Sequence, residues 1–238
     1  MLLNLLVFLA GRLPVKILPL GDSITHGAGD TCEQDCRQSG RPQCSSCAQG
    51  WRGPLWRQLV ARYGEGKLDF VGSQQNGPDD IDRDHEGHCG ATLSDFDKLR
   101  SPFTPDVVLL LLGTNDLGWH GNLSQAYASL GSLLWHTRDA AAENATVLLS
   151  SLINGPTSFG QEKHAAWNAA LPSVAAGWSR QGFDVRFVDM ATEAGGMCSS
   201  ENEGLCCPAK IHPTDAGYAR MAGVWFTHLA HVIDEKLR

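Results

Sequence analysis

Three short stretches carry residues whose types suit acyl chemistry. In "PLGDSITHGAG", Ser23 follows an apolar run within a tight turn. Glycine, acid and serine, then small and polar residues, expose a hydroxyl at a strand end; a helix N-cap is the other use of such a serine. In "LLLLGTNDLG", Gly113 and Gly118 bracket Thr114, Asn115 and Asp116 directly after four leucines. Asn and Asp also form ordinary turns, so this stretch too is ambiguous alone. In "GLCCPAKIHPTDAGY", His212 stands on a loop, and the proline after it removes a donor that a helix start does not need. A hydroxyl, a side-chain amide and an imidazole meeting at one edge would make a nucleophile, an oxyanion donor and a base. Such a base needs its second nitrogen oriented. The residues just before His212 are Cys, Cys, Pro, Ala, Lys and Ile, with no carboxylate among them.

The elements that must position these groups are legible as apolar runs. Residues 15–20, 68–72, 106–113, 146–153 and 184–190 read as strands, and 54–63, 93–99, 123–142, 161–181 and 214–236 as helices. The run "VVLLLL" is apolar without alternation, which a central parallel strand buried on both faces requires. Strands separated by helices imply right-handed βαβ units with helices on both faces of one sheet. Two stretches break the rhythm, residues 27–53 and 72–91. Both follow strand ends, where open α/β sheets place their ligands.

The 238 residues read as one domain, able to bury about 70% of its unfolded surface without help from a metal or disulfide. Lys and Arg total 19 against 26 for Asp and Glu, a net charge of -7. There is no basic surplus to meet nucleic acid or an anionic membrane, so neither is expected as a partner. Eight cysteines (Cys32, Cys36, Cys44, Cys47, Cys89, Cys198, Cys206 and Cys207) favour an oxidised, secreted protein with up to four disulfides. "CEQDC" followed by "CSSC" also has zinc-ligand spacing, but the disulfide reading outweighs it, and no metal or cofactor is expected. Asn122 and Asn144 head acceptor sequons that fit secretion. "MLLNLLVFLAG" is too short to span a bilayer and has no positive residue before its apolar run. Residues 1–13 therefore read as a leader-like remnant or an N-terminal arm, ahead of one domain over 14–238.

"GDSIT", the glycine in "HEGHCG", "GTND" and a late His-Pro before a helix together resemble the SGNH hydrolase (GDSL-like) superfamily. The resemblance runs from Gly21 to the final helix. "WRGPLW", "FVGSQQNG" and "DHEGHCG" are similar to the family-3 carbohydrate esterases, which include acetylxylan esterases. The resemblance implies a flavodoxin-like, three-layer α/β/α sandwich with a five-stranded parallel sheet. It implies Ser23 as nucleophile and His212 as base. The oxyanion donors would be the Ser23 and Gly90 N–H groups and the Asn115 amide. The superfamily's acid sits three residues before the histidine, where this chain has Ala209. The backbone carbonyl of Ala209 is therefore the first candidate to orient His212, in a Ser-His dyad, and Asp189 the second. Asp215, Glu193, Glu201 and Glu203 are further choices. Cys198, Cys206 and Cys207 flank the histidine loop and Cys89 adjoins Gly90, so disulfides there would brace both.

On the substrate side, Trp119 is the candidate sugar-stacking surface because it follows the Asn115 loop. Trp51, Trp56, Asp82, Asp84 and Glu86 are further cleft candidates, and His26, His85 and His88 read as loop hydrogen-bonding residues. The expected protein is a secreted, monomeric serine esterase removing O-acetyl groups from xylan or a related polysaccharide. Two readings compete with it: a lipase, lysophospholipase or thioesterase on the same fold, and a non-catalytic carbohydrate-binding domain.

Overall fold

A computed structural model describes residues 13–29, 48–96, 102–153, 160–197, 204–207 and 211–238, without the side chains of residues 119, 120 and 161. Ala209, Cys32, Cys36, Cys44, Cys47, Cys198 and the N-terminal run lie outside the described residues.

The sheet has seven strands: β1 (Val15–Gly21), β2 (Leu68–Phe70), β3 (Gln74–Gln75), β4 (Asp84–Gly87), β5 (Val107–Leu111), β6 (Thr146–Ser150) and β7 (Asp184–Val188). β1 pairs in parallel with β5, β5 with β6 and β6 with β7. The other side of β1 is shared. β2 takes its first half, from Val15 to Ile17, and β4 takes Leu20 and Gly21, both in parallel. β3 is antiparallel to β4. The five expected strands thus form five lanes, and the expected count is corrected upward by the short β3–β4 hairpin. That hairpin falls in the polar stretch 72–91, whose paired segments are too short to show a period of two.

The buried run holds as expected, since every residue of β5 is buried. Two helical layers cover the sheet. α2 (Arg52–Tyr63) packs on α6 (Asp215–Lys236), with the Trp51 and Trp225 rings 5.4 Å apart at the seam. α3 (Leu123–Ala140) meets α4 (Gln161–Arg180) where Tyr127 stacks on Trp167 at 5.0 Å. Single turns α1 (Ser23–His26) and α5 (Met190–Glu193) follow β1 and β7. The segment 93–99, read as a helix, is only a tight turn over Leu93–Phe96 in its described part. No helix among the described residues is long and apolar enough to cross a membrane.

α6 begins where its sequence dictates. The Thr214 side chain accepts a hydrogen bond from the Gly217 N–H at 3.3 Å, satisfying one orphan donor of the first turn. Gly217 is there for space: a Cβ would stand 2.2 Å from the Leu205 carbonyl oxygen. Exchanging a helical glycine for alanine ordinarily stabilises by about 0.5–1 kcal/mol, whereas forced overpacking costs about 1–3 kcal/mol. Gly217→Ala is therefore expected to lower the urea unfolding free energy. Gly223→Ala, in the same helix with nothing within 4 Å of the added carbon, is expected to raise it. Opposite signs for the two variants check the reading.

Candidate active site

β1 ends in a glycine because nothing larger fits. A Cβ at Gly21 would lie 2.2 Å from the Leu111 carbonyl oxygen on β5. The chain then turns, and Asp22 Oδ1 accepts from the Ile24 N–H at 2.9 Å, capping the turn that carries Ser23. Gly27 closes that turn with φ +94, and the same packing leaves no room for a Cβ there. Behind it lies Arg52, fully buried. Its guanidinium donates to the carbonyls of Thr25 at 2.9 Å, His26 at 3.0 Å and Ala48 at 2.7 Å, and to Asn76 Oδ1. Burial draws the Arg52 pKa down to about 9, so it remains a cation at neutral pH and fixes the backbone of the nucleophile turn.

His212 is held by backbone. Cys206 and Pro213 form an antiparallel bridge. The Cys207 N–H donates to the His212 carbonyl at 2.9 Å, and the Thr214 N–H donates to the Leu205 carbonyl at 2.9 Å. One residue stretch thus splints the other. The Tyr218 hydroxyl, one turn into α6, donates to the Ala28 carbonyl at 2.7 Å, tying the histidine's helix to the nucleophile's loop. Burial foremost, with nearby Cys207 and Asp22 adding to it, raises the Tyr218 pKa well above its ordinary value, so it stays a donor. The outcome is a 2.8 Å hydrogen bond between Ser23 Oγ and His212 Nε2. A hydroxyl in that contact can lose its proton to the imidazole as it attacks a carbonyl.

The third component stands beside them. The His88 N–H donates to the Gly21 carbonyl at 3.0 Å, which pins the loop after β4 to the end of β1. Gly90 follows with φ +77, a conformation that favours glycine. Asn115 Nδ2 donates to the Ala91 carbonyl at 2.9 Å, orienting its amide plane. The Leu93 N–H donates to the Asp116 carboxylate at 3.1 Å. Ser23, Gly90, Asn115 and His212 are thus brought to one end of the sheet by four separate segments. Among the described residues, the Ser23 and Gly90 N–H groups donate to no backbone carbonyl.

Several expected residues have other work. The Asp189 carboxylate accepts from the Thr192 N–H at 3.2 Å and the Ser151 hydroxyl at 3.2 Å, so it caps α5 instead of reaching His212. Glu193 lies 2.8 Å from His228 Nε2 on α6. Asp82 accepts from the Phe70 and Asp84 N–H groups, and Asp84 from the Gln75 amide, fixing the β3–β4 hairpin. Glu86 takes hydrogen bonds from Ser73 and lies 2.7 Å from His88 Nε2. Burial raises the Glu86 pKa, but the hydrogen bonds from His88 and Ser73 outweigh it and hold the carboxyl below its ordinary range. Trp51 and Trp56 are buried packing residues and offer no face to a sugar. The backbone of Trp119 belongs to a wide helical turn over Asp116–His120. His85 is buried and held neutral, foremost by that burial and then by Arg52; its Nδ1 accepts from the Gly87 N–H.

The cysteine expectation needs one correction. Cys89 and Cys206 are disulfide-bonded, but Cys207 keeps a buried, reduced thiol that donates to the Pro213 carbonyl at 3.6 Å. With that thiol reduced, the eight cysteines can make at most three bridges. Sequence reasoning missed Arg52, Asp22 and Tyr218 as supports of the site. Only Asp22 carried a signal, its place beside Ser23.

Asp22 is completely buried, and desolvation raises its pKa from 3.8 to about 6. The native state therefore holds this proton to a higher pH than the unfolded chain does. Stability from this group is greatest below pH 4 and falls as pH rises towards 6, by about 3 kcal/mol at 1.36 kcal/mol per unit. Asp22→Asn keeps a capping oxygen and removes the ionisation. Its unfolding free energy relative to wild type is expected to rise by up to that amount between pH 4 and pH 7, measured in urea. A difference independent of pH would contradict this.

Comparison with known proteins agrees with the geometry. Residues 20–220 match the model of the GDSL-like Lipase/Acylhydrolase family. The solved Clostridium thermocellum family 3 carbohydrate esterase is 26% identical, with a TM-score of 0.73 over 93% of this chain and 98% of that one. A carbohydrate esterase family 3 structure from Talaromyces cellulolyticus is 26% identical, with a TM-score of 0.70 over 93% and 99%. A multidomain esterase of Ruminococcus flavefaciens is 24% identical over 90% of this chain, which spans 28% of that relative's length. The chain belongs to the GDSL-like lipase/acylhydrolase family.

Proposed function

We propose that this protein is a secreted serine esterase that removes O-acetyl groups from xylan or a related polysaccharide. The observation that carries the reading is the 2.8 Å contact of Ser23 Oγ with His212 Nε2, beside Gly90 and Asn115. The likeness to two family 3 carbohydrate esterases supports the acetylated carbohydrate as substrate. Eight cysteines and the exposed sequon residues Asn122 and Asn144 support secretion.

In the first half of the reaction His212 takes the Ser23 proton as Oγ attacks the acetyl carbonyl. The tetrahedral oxyanion is met by the Ser23 N–H, the Gly90 N–H and the Asn115 amide. His212 then gives its proton to the departing sugar oxygen, leaving an acetyl-enzyme. Water attacks the acetyl carbon with His212 again as base, and His212 returns that proton to Ser23 Oγ as the acyl bond to Oγ breaks and acetate leaves. The position that holds the superfamily's acid is Ala209, so the Ala209 backbone carbonyl is the proposed acceptor for His212 Nδ1–H. The splint formed by 204–207 against 211–214 supports such a dyad, because it fixes the imidazole's backbone without a carboxylate.

Acetate release from acetylated xylan is expected to exceed hydrolysis of long-chain esters and to vanish in Ser23→Ala. In the same assay Asn115→Ala is expected to lower kcat about 100–1000-fold with KM little changed, as loss of one oxyanion donor does. Preference for long-chain esters would overturn the substrate assignment. An unchanged kcat in Asn115→Ala would overturn the role of the amide.

A further inference from the structure

We propose that a cavity beside the Gly90 loop, walled by both polar and apolar surface with Ala126 among its lining, is a subsite for one neutral sugar ring of the bound polysaccharide; the proposal rests on the substrate class given above. The cavity has a volume of about 160 Å³ and lies between the turn at Leu93–Phe96 and the first turns of α3. Thr92, Ser94, Asp116, Asn122, Gln125 and Ser129 line it. Its two walls continue directly from the groups that face the reaction. Thr92 stands two residues after Gly90, and Asp116 follows Asn115. The bonds Asn115–Ala91 and Leu93–Asp116 tie the segments that carry those walls to each other.

The lining selects the ligand by chemistry. Three hydroxyls and two carboxamides supply donors and acceptors together, which is what the hydroxyls of a sugar require. A phosphate or carboxylate would meet Asp116 with no cation in the wall. A metal ion would find one carboxylate, whose oxygens already accept from the Leu93 N–H. An acyl chain would lie against polar groups left without partners. The volume is room enough for a small ring.

The polar groups are also preset. The Thr92 hydroxyl donates to Asp95 at 2.8 Å and lies 3.1 Å from the Ser94 hydroxyl. Asn122 Oδ1 accepts from the Gln125 N–H at 3.0 Å.

The test uses Ser23→Ala protein made in bacteria, so that Asn122 carries no glycan, and unacetylated xylotriose as the probe. Xylotriose is expected to bind and to shift the amide resonances of Thr92, Ser94 and Gln125. Adding Gln125→Ala and Ser129→Ala, both outside the core, should weaken binding at least about fivefold, as loss of hydrogen bonds worth about 1 kcal/mol would. Unchanged affinity, absence of binding, or shifts confined to other residues would overturn the subsite. Acetate release from acetylated xylan by wild type is read separately. Weakened xylotriose binding in the variant, with no acetate released by wild type, would uphold the sugar subsite and overturn the proposed reaction.

Discussion

The hydrogen bond from Ser23 Oγ to His212 Nε2 joins residues 189 positions apart, and the chemistry of the molecule depends on it. Each partner sits on a short segment that could not hold its own position. Ser23 is on a turn of four residues, and His212 is on a loop before α6. The sheet supplies one fixed point, since the pairing of Gly21 with Leu111 leaves no freedom at the end of β1. The other is the splint of 204–207 against the histidine loop, carried across to the nucleophile by the Tyr218–Ala28 bond. Catalytic groups placed within fractions of an ångström need this kind of support from packing and hydrogen bonds.

That support has a thermodynamic cost. Asp22 is buried beside Ser23, and desolvation, with the nearby Asp116 adding to it, makes its ionised form unfavourable. Arg52 is a fully buried cation that stays charged because backbone carbonyls and Asn76 take its donors. Neither arrangement would be selected for stability, because apolar groups of similar volume fill such space at least as well. Both make sense as devices for geometry. A guanidinium that spans the carbonyls of Thr25, His26 and Ala48 locks the turn carrying Ser23 to the start of α2. The oxyanion loop is held by cheaper means, namely backbone bonds and two side chains delivered from the end of β5.

The architecture was largely legible because its signals are long. The five apolar runs became strands in five of the six lanes of the sheet, and α2, α3, α4 and α6 begin and end within two residues of their expected bounds. Ser23 and His212 are joined by a hydrogen bond, and the segments that carry Gly90 and Asn115 are tied to each other through Ala91. What was illegible depends on contacts between distant, irregular segments. The β3–β4 hairpin is built from strands of two and four residues within a polar stretch, and its carboxylates serve register, not substrate. Asp189 ends a strand at the expected edge, but the α5 turn directly after it takes its carboxylate. Arg52 looks in sequence like any arginine at the start of a helix. Its burial follows only from how the loop carrying Ala48 and the turn carrying Thr25 close over it.

The central claim is that Ser23 is a nucleophile activated by His212. Covalent labelling with a serine-directed phosphonate, located by peptide mass spectrometry, tests it most directly. The account predicts one label per chain, on Ser23, with the labelling rate collapsing in His212→Ala while the fold is retained. Labelling at another residue, no labelling of wild type, or an equal rate in His212→Ala would contradict it.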